Sequence, residues 1–403
     1  MSEGSKRRRR RPSSPVLAAP LPDNDDILRE ILLRLPPLPS SLPRASLVSK
    51  RWRRILSDPQ FLRRFRAFHH RRAPLLGFYI GDFGIPYFTP TLDPPDRIPS
   101  ARLSLALPRD ERRSLSFLGC RHGLVLILNR ARLEITVWDP VAGDQRCVTL
   151  PPGFNSQDPR LAVRGGALLC DDHAGGRAPL ESFKVVVLRT DDVLLDADPH
   201  AFAFLYESNA GVWSNIISTS IRAPLWLLKP SILVGNSLYW LLLGYGNSGI
   251  LKFDLDRNNL TAFDTPPVAQ AQVSSQSQIL RMEDSRLGFA IVTGFSIQVW
   301  EKRPNSEGGA KWMLHKTINL DKLLSLGPMG DRSRIVIHGY DEDGIAIFVS
   351  ADLQVFMIKL KSLQFKSLFK CGIIDTYHPF TSFYTTGRGI GSGDTGADIL
   401  NNT

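Results

Sequence analysis

The sequence has little that would place the protein in a membrane or cross-link it covalently. Its four cysteines, at positions 120, 147, 170 and 371, form no Cys-x-x-Cys pair and have no spacing typical of a zinc site, so they indicate reduced intracellular side chains. No apolar run approaches the roughly 18–20 residues that span a bilayer. The N-terminal patch VLAAP is too short for a secretory signal. We therefore predict no disulfide, no metal and no membrane contact, in a protein of the nucleus and/or cytoplasm.

Motifs of catalysis are also missing. The sequence contains no HExxH, no P-loop and no GxSxG nucleophile elbow. The glycines of 391–396 match the dinucleotide-binding fingerprint, but only seven residues follow them, which leaves no room for the helix that would hold a pyrophosphate. The acidic turn at 341–343 lacks the alternating oxygen ligands of a calcium loop. We therefore predict no catalytic residue and no cofactor.

Positive charge is in excess, but it is concentrated at one end. The 403 residues include 50 Lys/Arg and 39 Asp/Glu; residues 1–72 hold 18 and 6 of these, which leaves a nearly neutral remainder of 32 and 33. That remainder argues against nucleic acid as a partner. A basic run in a Ser/Pro-rich tail is a nuclear-import signal, a weak polyanion contact or a solvated segment without a dedicated role. The import candidates are Lys6, Arg7, Arg8, Arg9, Arg10 and Arg11.

A helical pattern follows this tail. Asp23 is a good N-cap, and Asp25 and Asp26 place negative charge in the first turn, where the helix dipole favours it. The dipeptide Pro36-Pro37 ends the helix. Between these signals lies a single apolar stripe at helical spacing, formed by Ile27, Leu28, Ile31, Leu32 and Leu35.

Two more helices are predicted after the prolines. Ser40 or Ser41 caps the second, and Asp58-Pro59 opens a third that runs through Phe65. Between positions 21 and 66, 18 of 46 residues are apolar, more than so small a bundle can bury alone. Either the rest of the chain covers this surface or another protein does. The inner stripe of the second helix consists of Leu42, Ala45, Val48, Trp52 and Ile55.

These helices resemble an F-box, the module by which a substrate receptor docks onto the Skp-type adaptor of a Skp–cullin–F-box ubiquitin ligase. LPDNDDILREILLRLP and SLPRASLVSKRWRRILSDPQF carry the opening Leu-Pro, the Ile-Leu pair, Leu-x-Arg-Ala, Val-Ser-Lys-x-Trp and Asp-Pro-x-Phe. The proline-rich link PPLPSS is longer than in that pattern and bears on the angle between the first two helices. The resemblance implies adaptor binding, and through the adaptor a cullin–RING ligase, by Leu21, Pro22, Ile27, Leu28, Ile31, Leu32, Leu35, Leu42, Arg44, Val48, Ser49, Lys50 and Trp52.

From about position 75 the pattern changes to short strands separated by Gly, Pro, Asn and Asp turns. Segments such as GLVLIL, LEITVW, FKVVVL and SLYWLLL, with no helix between them, indicate an antiparallel all-β domain. The strongest strands recur after 61, 53, 49 and 58 residues, which favours four-stranded propeller blades with long loops. A β-sandwich is the alternative. The strands begin near Leu124, Val185, Leu238, Leu287 and Ile345.

A second resemblance covers this region. GCRHGLVLILNRARLEITVWDPVAGDQRCVTLPP resembles the first F-box-associated repeat of large plant F-box families, in which a Cys-x-Gly-Leu strand is followed by Val-Trp-Asn-Pro. Here Arg-His replaces the single residue, and Asp139 stands in place of Asn. Later segments match across 115–384. The resemblance implies a β-propeller whose exposed loops bind the protein to be ubiquitinated.

The predicted architecture is therefore α + all-β and multidomain. It comprises a disordered basic tail over 1–20, a short three-helix F-box over 21–68, an antiparallel β-propeller over 75–385 and a flexible tail over 386–403. The predicted function is a non-catalytic substrate-recognition subunit of the ligase, which recruits an unidentified protein for degradation. The alternative is a nucleic-acid or chromatin-associated propeller scaffold without a ligase role.

Two sets of residues in the propeller are assigned from their positions. Strand tryptophans more often pack than bind, so we expect core or inter-blade packing of Trp138, Trp240, Trp300 and Trp312. Loops positioned by rigid strands are the usual binding sites. The candidate target loops are 82–99, 153–180, 189–200 and 301–311.

Overall fold

The structure, a computed structural model, consists of a small helical segment followed by six antiparallel sheets. The predicted basic tail, its import candidates, Leu21, Pro22 and the C-terminal tail all lie outside the described residues. Among the described residues, no helix is long and apolar enough to cross a membrane. The structure describes residues 25–69, 73–80, 87–105, 114–154, 162–170, 180–191, 199–222, 229–243, 248–269, 276–305, 309–324, 335–351, 353–370 and 376–384.

Four helices, not three, make up the described helical segment. The predicted second helix is divided in two, because Leu47 and Val48 form a turn and extended Ser49 starts a new helix by accepting a hydrogen bond from the Trp52 N–H at 3.2 Å. The helices are α1 (Asp25–Leu33), α2 (Ser41–Ser46), α3 (Lys50–Leu56) and α4 (Pro59–His69).

The four helices share one small apolar core. Leu28 and Leu32 from α1 meet Ile55 from α3 and Phe61 and Phe65 from α4, all of them buried. The buried ring of His69 contacts the carbonyl oxygen of Leu33 at 2.8 Å through Nε2, which ties the end of α4 to the end of α1. The helical segment is therefore packed from its own side chains.

The sheets confirm the predicted propeller and exclude the sandwich. Five sheets have four or five strands in chain order, and a three-stranded sheet completes the set. The first strands of successive sheets approach one another around a ring, as propeller blades do. A short helix, α5 (Leu320–Leu323), and 3₁₀ turns at Ser100–Leu103 and Pro267–Ala269 lie in connections.

The strands, in chain order, are as follows. The first twelve are β1 (Leu75–Ile80), β2 (Tyr87–Pro90), β3 (Leu115–Arg121), β4 (Leu124–Asn129), β5 (Glu134–Trp138), β6 (Gln145–Thr149), β7 (Gly165–Cys170), β8 (Phe183–Thr190), β9 (His200–Glu207), β10 (Val212–Trp213), β11 (Ile217–Ser220) and β12 (Ile232–Val234). The others are β13 (Ser237–Leu243), β14 (Ser248–Asp254), β15 (Asn259–Asp264), β16 (Ser277–Arg281), β17 (Leu287–Thr293), β18 (Ser296–Pro304), β19 (Ala310–Asn319), β20 (Val336–Asp341), β21 (Ala346–Ala351), β22 (Gln354–Lys359), β23 (Phe365–Lys370) and β24 (Tyr377–Thr381).

The predicted repeat marks the second strand of each blade. The five strong strand onsets fall in or beside β4, β8, β13, β17 and β21, each of which is the second strand of its sheet. These strands are buried on both faces, and their long apolar runs follow from that position. The sequence repeat therefore reflects one recurrent place in the blade.

The sixth blade joins the two ends of the propeller. Its order is β2-β1-β24, so the first strands of the chain pair with the last one. The register runs from Ile80 opposite Tyr377 to Leu75 opposite Thr381. The ring is therefore closed by hydrogen bonds between β1 and β24.

Antiparallel order separates the turns onto two faces. The turns from first to second strand and from third to fourth strand lie on one face, which we call the helical face because Asp96 and Phe383 on it contact the helices. The ends of the second and fourth strands lie on the opposite face, which we call the distal face. The helices thus cover part of one end of the propeller.

A polar network built around one ion pair at the helical face links all six blades. Arg121 of β3 donates to the Glu342 carboxylate at 2.6 Å and to the carbonyl oxygens of Leu168 and Ser231 at 3.1 and 2.8 Å. These partners belong to the first, fifth, second and third blades. The fourth and sixth blades join through Arg281, which donates to the Glu342 carbonyl, and through Thr381, which donates to Asp343 at 3.0 Å. The side chains of Arg121 and Glu342 are only 11% and 16% exposed.

The four strand tryptophans pack in the core or between blades, as predicted. Trp138 and Trp240 are buried, whereas Trp300 and Trp312 are half-buried. The indole N–H of Trp312 donates to the carbonyl oxygen of Asp264 at 3.0 Å and so joins the outer strands of the third and fourth blades. These side chains serve packing between and within blades.

Candidate functional site

The apolar stripe of α1 is divided between core and solvent. Leu28 and Leu32 are completely buried, while Ile27 and Ile31, on the adjoining side of the same helix, are 50% and 45% exposed. Leu28 and Leu32, which the resemblance also assigns to the adaptor, are covered by α3 and α4 in this structure, and their adaptor contact stays a prediction. The exposed part of α1 consists of Ile27 and Ile31.

A second exposed apolar group lies where α2 meets α3. Leu47 is 75% exposed and Val48 58% exposed, since the turn that divides the predicted second helix points both residues outward. Leu38, in the connection between α1 and α2, is also exposed. Leu42, predicted both in the inner stripe of the second helix and among the adaptor contacts, is buried in the helical core.

Ion pairs hold α1 against α3, and so hold the two exposed groups in place. The Asp25 carboxylate accepts from Arg51 Nε at 2.7 Å and from Arg54 Nη2 at 3.1 Å. The hydrogen bond from Arg51 lowers the pKa of Asp25, and the positive charges of both arginines act in the same direction. Asp25 therefore stays ionised well into the acidic range, and the link between α1 and α3 stays charged.

The remaining predicted adaptor contacts fall into two classes. Leu35 and Trp52 are half-buried against the helical core, whereas Arg44, Ser49 and Lys50 are exposed. The sequence reasoning missed Leu38 and Leu47. For Leu47 a signal was available, since Ser49 followed by Lys-Arg-Trp is a helix start and places the preceding two residues in a turn.

The candidate target loops are distributed over both faces of the propeller. The ends of 189–200 lie on the distal face, whereas 301–311 spans a strand pair whose turn lies on the helical face. The assignment of 301–311 as a loop is wrong, since β18 extends to Pro304 and β19 starts at Ala310. The other two ranges, 82–99 and 153–180, contain β2 and β7 and reach both faces.

No grouping of metal-binding side chains occurs in the part of the chain that the structure describes. The acidic turn after β20 instead supplies Glu342 to Arg121 and Asp343 to Thr381. Burial, with the nearby charge of Asp343, raises the pKa of Asp341 to about 6. This cluster is occupied by side chains and backbone groups of the propeller itself.

Comparison with known proteins matches both parts of the chain. A family model described as F-box protein AT5G49610-like, β-propeller, matches residues 116–383, and an F-box domain model matches residues 24–64. The F-box/kelch-repeat protein At3g61590 of Arabidopsis thaliana is 28% identical over 253 residues, which cover 60% of this chain and 56% of that protein. The chain thus spans little more than half the length of this relative.

Solved structures give a weaker likeness. A chain of a nidogen/laminin complex has a TM-score of 0.41 at 10% identity, over 76% of this chain and 99% of that one. The periplasmic gluconolactonase PpgL of Pseudomonas aeruginosa has a TM-score of 0.37 at 12% identity, over 74% and 83%. Likeness at this level does not bear on function.

Proposed function

The chain belongs to the AT5G49610-like F-box β-propeller family, and from this premise we propose that it is the substrate-recognition subunit of a Skp–cullin–F-box ubiquitin ligase. The observation that carries the proposal is the pair of exposed apolar groups, Ile27 with Ile31 and Leu47 with Val48, on a helical segment whose own core is already filled. Such a surface fits a partner protein.

In this role the protein acts by proximity and needs no active site of its own. The helices hold the Skp-type adaptor while the propeller holds the target, so the target's lysines are presented at high effective concentration to the ubiquitin carrier. We propose that the target binds on the distal face, because the helices occupy part of the other one. Ubiquitination then marks the target for degradation.

The expected binding energy is modest. Completing the burial of four half-exposed aliphatic side chains gains roughly 1 kcal/mol each, or about 4 kcal/mol, by the usual area relation. Association costs roughly 4–15 kcal/mol in lost freedom. Hydrogen bonds and charge contacts from the exposed side chains beside them, Arg44, Ser49 and Lys50, are therefore expected to contribute.

The test compares an exposed residue with a buried one on the same helix. Ile31→Glu is expected to lower adaptor affinity at least tenfold while the free energy of unfolding changes by less than about 0.5 kcal/mol, as for other surface substitutions. Leu28→Ala instead removes core packing and is expected to cost about 2–5 kcal/mol of stability. Calorimetric titration with a Skp-type adaptor and urea unfolding measure the two effects.

Ile31→Leu is the matched control, because it keeps an apolar side chain of similar volume and should bind the adaptor as the wild type does. A folded Ile31→Glu variant with wild-type adaptor affinity would remove the basis of the docking proposal. Leu28→Glu is not a suitable test, since a charge in the helical core would unfold the segment and abolish binding for that reason alone.

We also propose that the protein resides in the nucleus and/or cytoplasm, with the basic run Lys6–Arg11 as an import signal. The expected result is nuclear accumulation of a fluorescent fusion of the full chain and loss of that accumulation after deletion of residues 1–15. Equal nuclear entry of the two fusions would show that this run is not the signal.

A further inference from the structure

The long proline-rich link between α1 and α2 contacts the propeller. Pro39 in this link is buried, and the next residue, Ser40, donates its backbone N–H to Asp96 Oδ1 at 2.8 Å. Asp96 follows β2 on the helical face of the sixth blade. A hydrogen bond to a carboxylate is about twice as strong as one between neutral groups. The link thus provides a polar contact between the helices and the closing blade.

A second contact comes from β24, the strand at the opposite edge of the same blade. Phe383, two residues after β24, packs against the apolar core of the helices. The segment that carries it is attached to the start of the propeller, because Ser382 donates its backbone N–H to the Pro74 carbonyl oxygen at 3.3 Å. The closing blade therefore contacts the helical segment at two points that are distant in sequence.

An electrostatic attraction to the first blade supplements these two contacts. Arg66, in the last turn of α4, interacts electrostatically with Asp139 in the β5–β6 turn, and this attraction opposes the rise in the Asp139 pKa that burial causes. The carboxylate of Asp139 is fixed, since Oδ1 accepts the backbone N–H groups of Val141 and Ala142 at 2.9 and 3.0 Å. The turn requires only a side-chain oxygen at this position, and Asn would supply one as well. The turn therefore does not depend on the negative charge of Asp139, and this charge can attract Arg66.

From these contacts we infer that the helical segment is held in one fixed orientation on the sixth blade, with Asp96 and Phe383 as the positioning residues. The link PPLPSS is the part of the helical segment that makes the polar contact with the propeller. The inference rests on the proposed function, since it states how the distal face is held at a constant distance and angle from the adaptor. Attachment at two separate points, on elements distant in sequence, excludes rotation about either point alone.

The experiment uses the full chain, alone and bound to the adaptor. Asp96→Ala removes the acceptor of the Ser40 N–H, whereas Asp96→Asn keeps a side-chain oxygen at the same place. Phe383→Ala removes the apolar contact, and Phe383→Leu retains most of it. Hydrogen exchange of the peptide around Ser40 and small-angle scattering of the whole molecule are the two measurements.

In the wild type we expect slow exchange at Ser40 and a scattering curve that one rigid arrangement fits. Asp96→Ala should speed exchange on the order of tenfold, as expected for loss of one charge-assisted hydrogen bond, and Asp96→Asn should speed it less. The double variant Asp96→Ala, Phe383→Ala should require an ensemble of orientations, while the Asn/Leu double variant should not.

Adaptor affinity separates this inference from the proposed function. Ile27, Ile31, Leu47 and Val48 are unchanged in all these variants, so the affinity should remain that of the wild type. Wild-type exchange and scattering in the Ala double variant would overturn the inferred fixed orientation, whatever the adaptor affinity of that variant. Failure of the wild type to bind any Skp-type adaptor would instead overturn the proposed function. The scattering result would then still decide whether the helical segment has one fixed orientation.

Discussion

At the scale of single residues, burial changes the ionisation of Asp341 at the end of β20. Its side chain is buried, and burial together with the negative charge of Asp343 raises its pKa from 3.8 to about 6. The folded state therefore retains the proton at pH values where the unfolded state has lost it. The contribution of Asp341 to the free energy of unfolding is therefore largest below about pH 4, and it is lost as the pH rises to about 6.

Asp341→Asn is expected to remove this pH dependence. The amide keeps an oxygen for the Asp343 N–H, which Asp341 now accepts at 3.1 Å. The shift corresponds to at most about 3 kcal/mol, so the variant should match the wild type near pH 4 and exceed it by about 1–3 kcal/mol at pH 7. Urea unfolding from pH 4 to 7 measures this. If stability changed with pH in the same way in the variant and the wild type, the explanation would be wrong. The control is Asp321→Asn, since Asp321 is exposed.

At the scale of elements, the sequence reveals the middle of each blade better than its edges. The second strands are predictable because they are buried on both faces, as in the LVLILN pattern of β4. The closing strand β24 is short and contains His378 and Pro379, so its sequence carries no strand signal, and its pairing with β1 is not local. Only tertiary contacts decide that pairing.

The exposed surface of the helices is likewise only partly predictable from the sequence. A stripe at i, i+1, i+4 and i+5 is wider than one helix contact, and its period does not say which side a neighbour covers. The structure places Leu28 and Leu32 beneath α3 and α4 and leaves Ile27 and Ile31 outside. The sequence therefore predicts that an apolar face exists, and the packing of α3 and α4 decides which residues form it.

The seam between the fifth and sixth blades requires a residue without a side chain. A Cβ at Gly339 in β20 would overlap the carbonyl oxygen of Tyr377 in β24. Gly339→Ala is expected to cost about 1–3 kcal/mol, as overpacking of a core does. Gly249→Ala is the control, since its Cβ would meet its nearest neighbour at 3.4 Å. Thermal unfolding compares them, and equal melting temperatures would show that the seam adapts.

At the scale of the whole molecule, the Arg121–Glu342 pair joins blades that are distant in sequence. Removing one partner of a buried ion pair leaves the other charge without compensation, which typically costs 3–5 kcal/mol. Arg121→Met should therefore destabilise the propeller by about that amount. Arg121→Met with Glu342→Leu should recover most of the loss. Urea unfolding of both variants tests this, and a double variant less stable than the single one would contradict the explanation.

The closing blade has a consequence for synthesis. Because β1 pairs with β24, about 300 residues later in the chain, that contact is non-local and cannot form until the rest of the propeller has been synthesised. A ribosome has released the α1–α4 segment long before it delivers Tyr377 and Phe383. During that interval the nascent chain has complete helices next to an unclosed ring. Under the proposed function, a chain terminated before β24 would therefore occupy an adaptor without presenting a finished propeller.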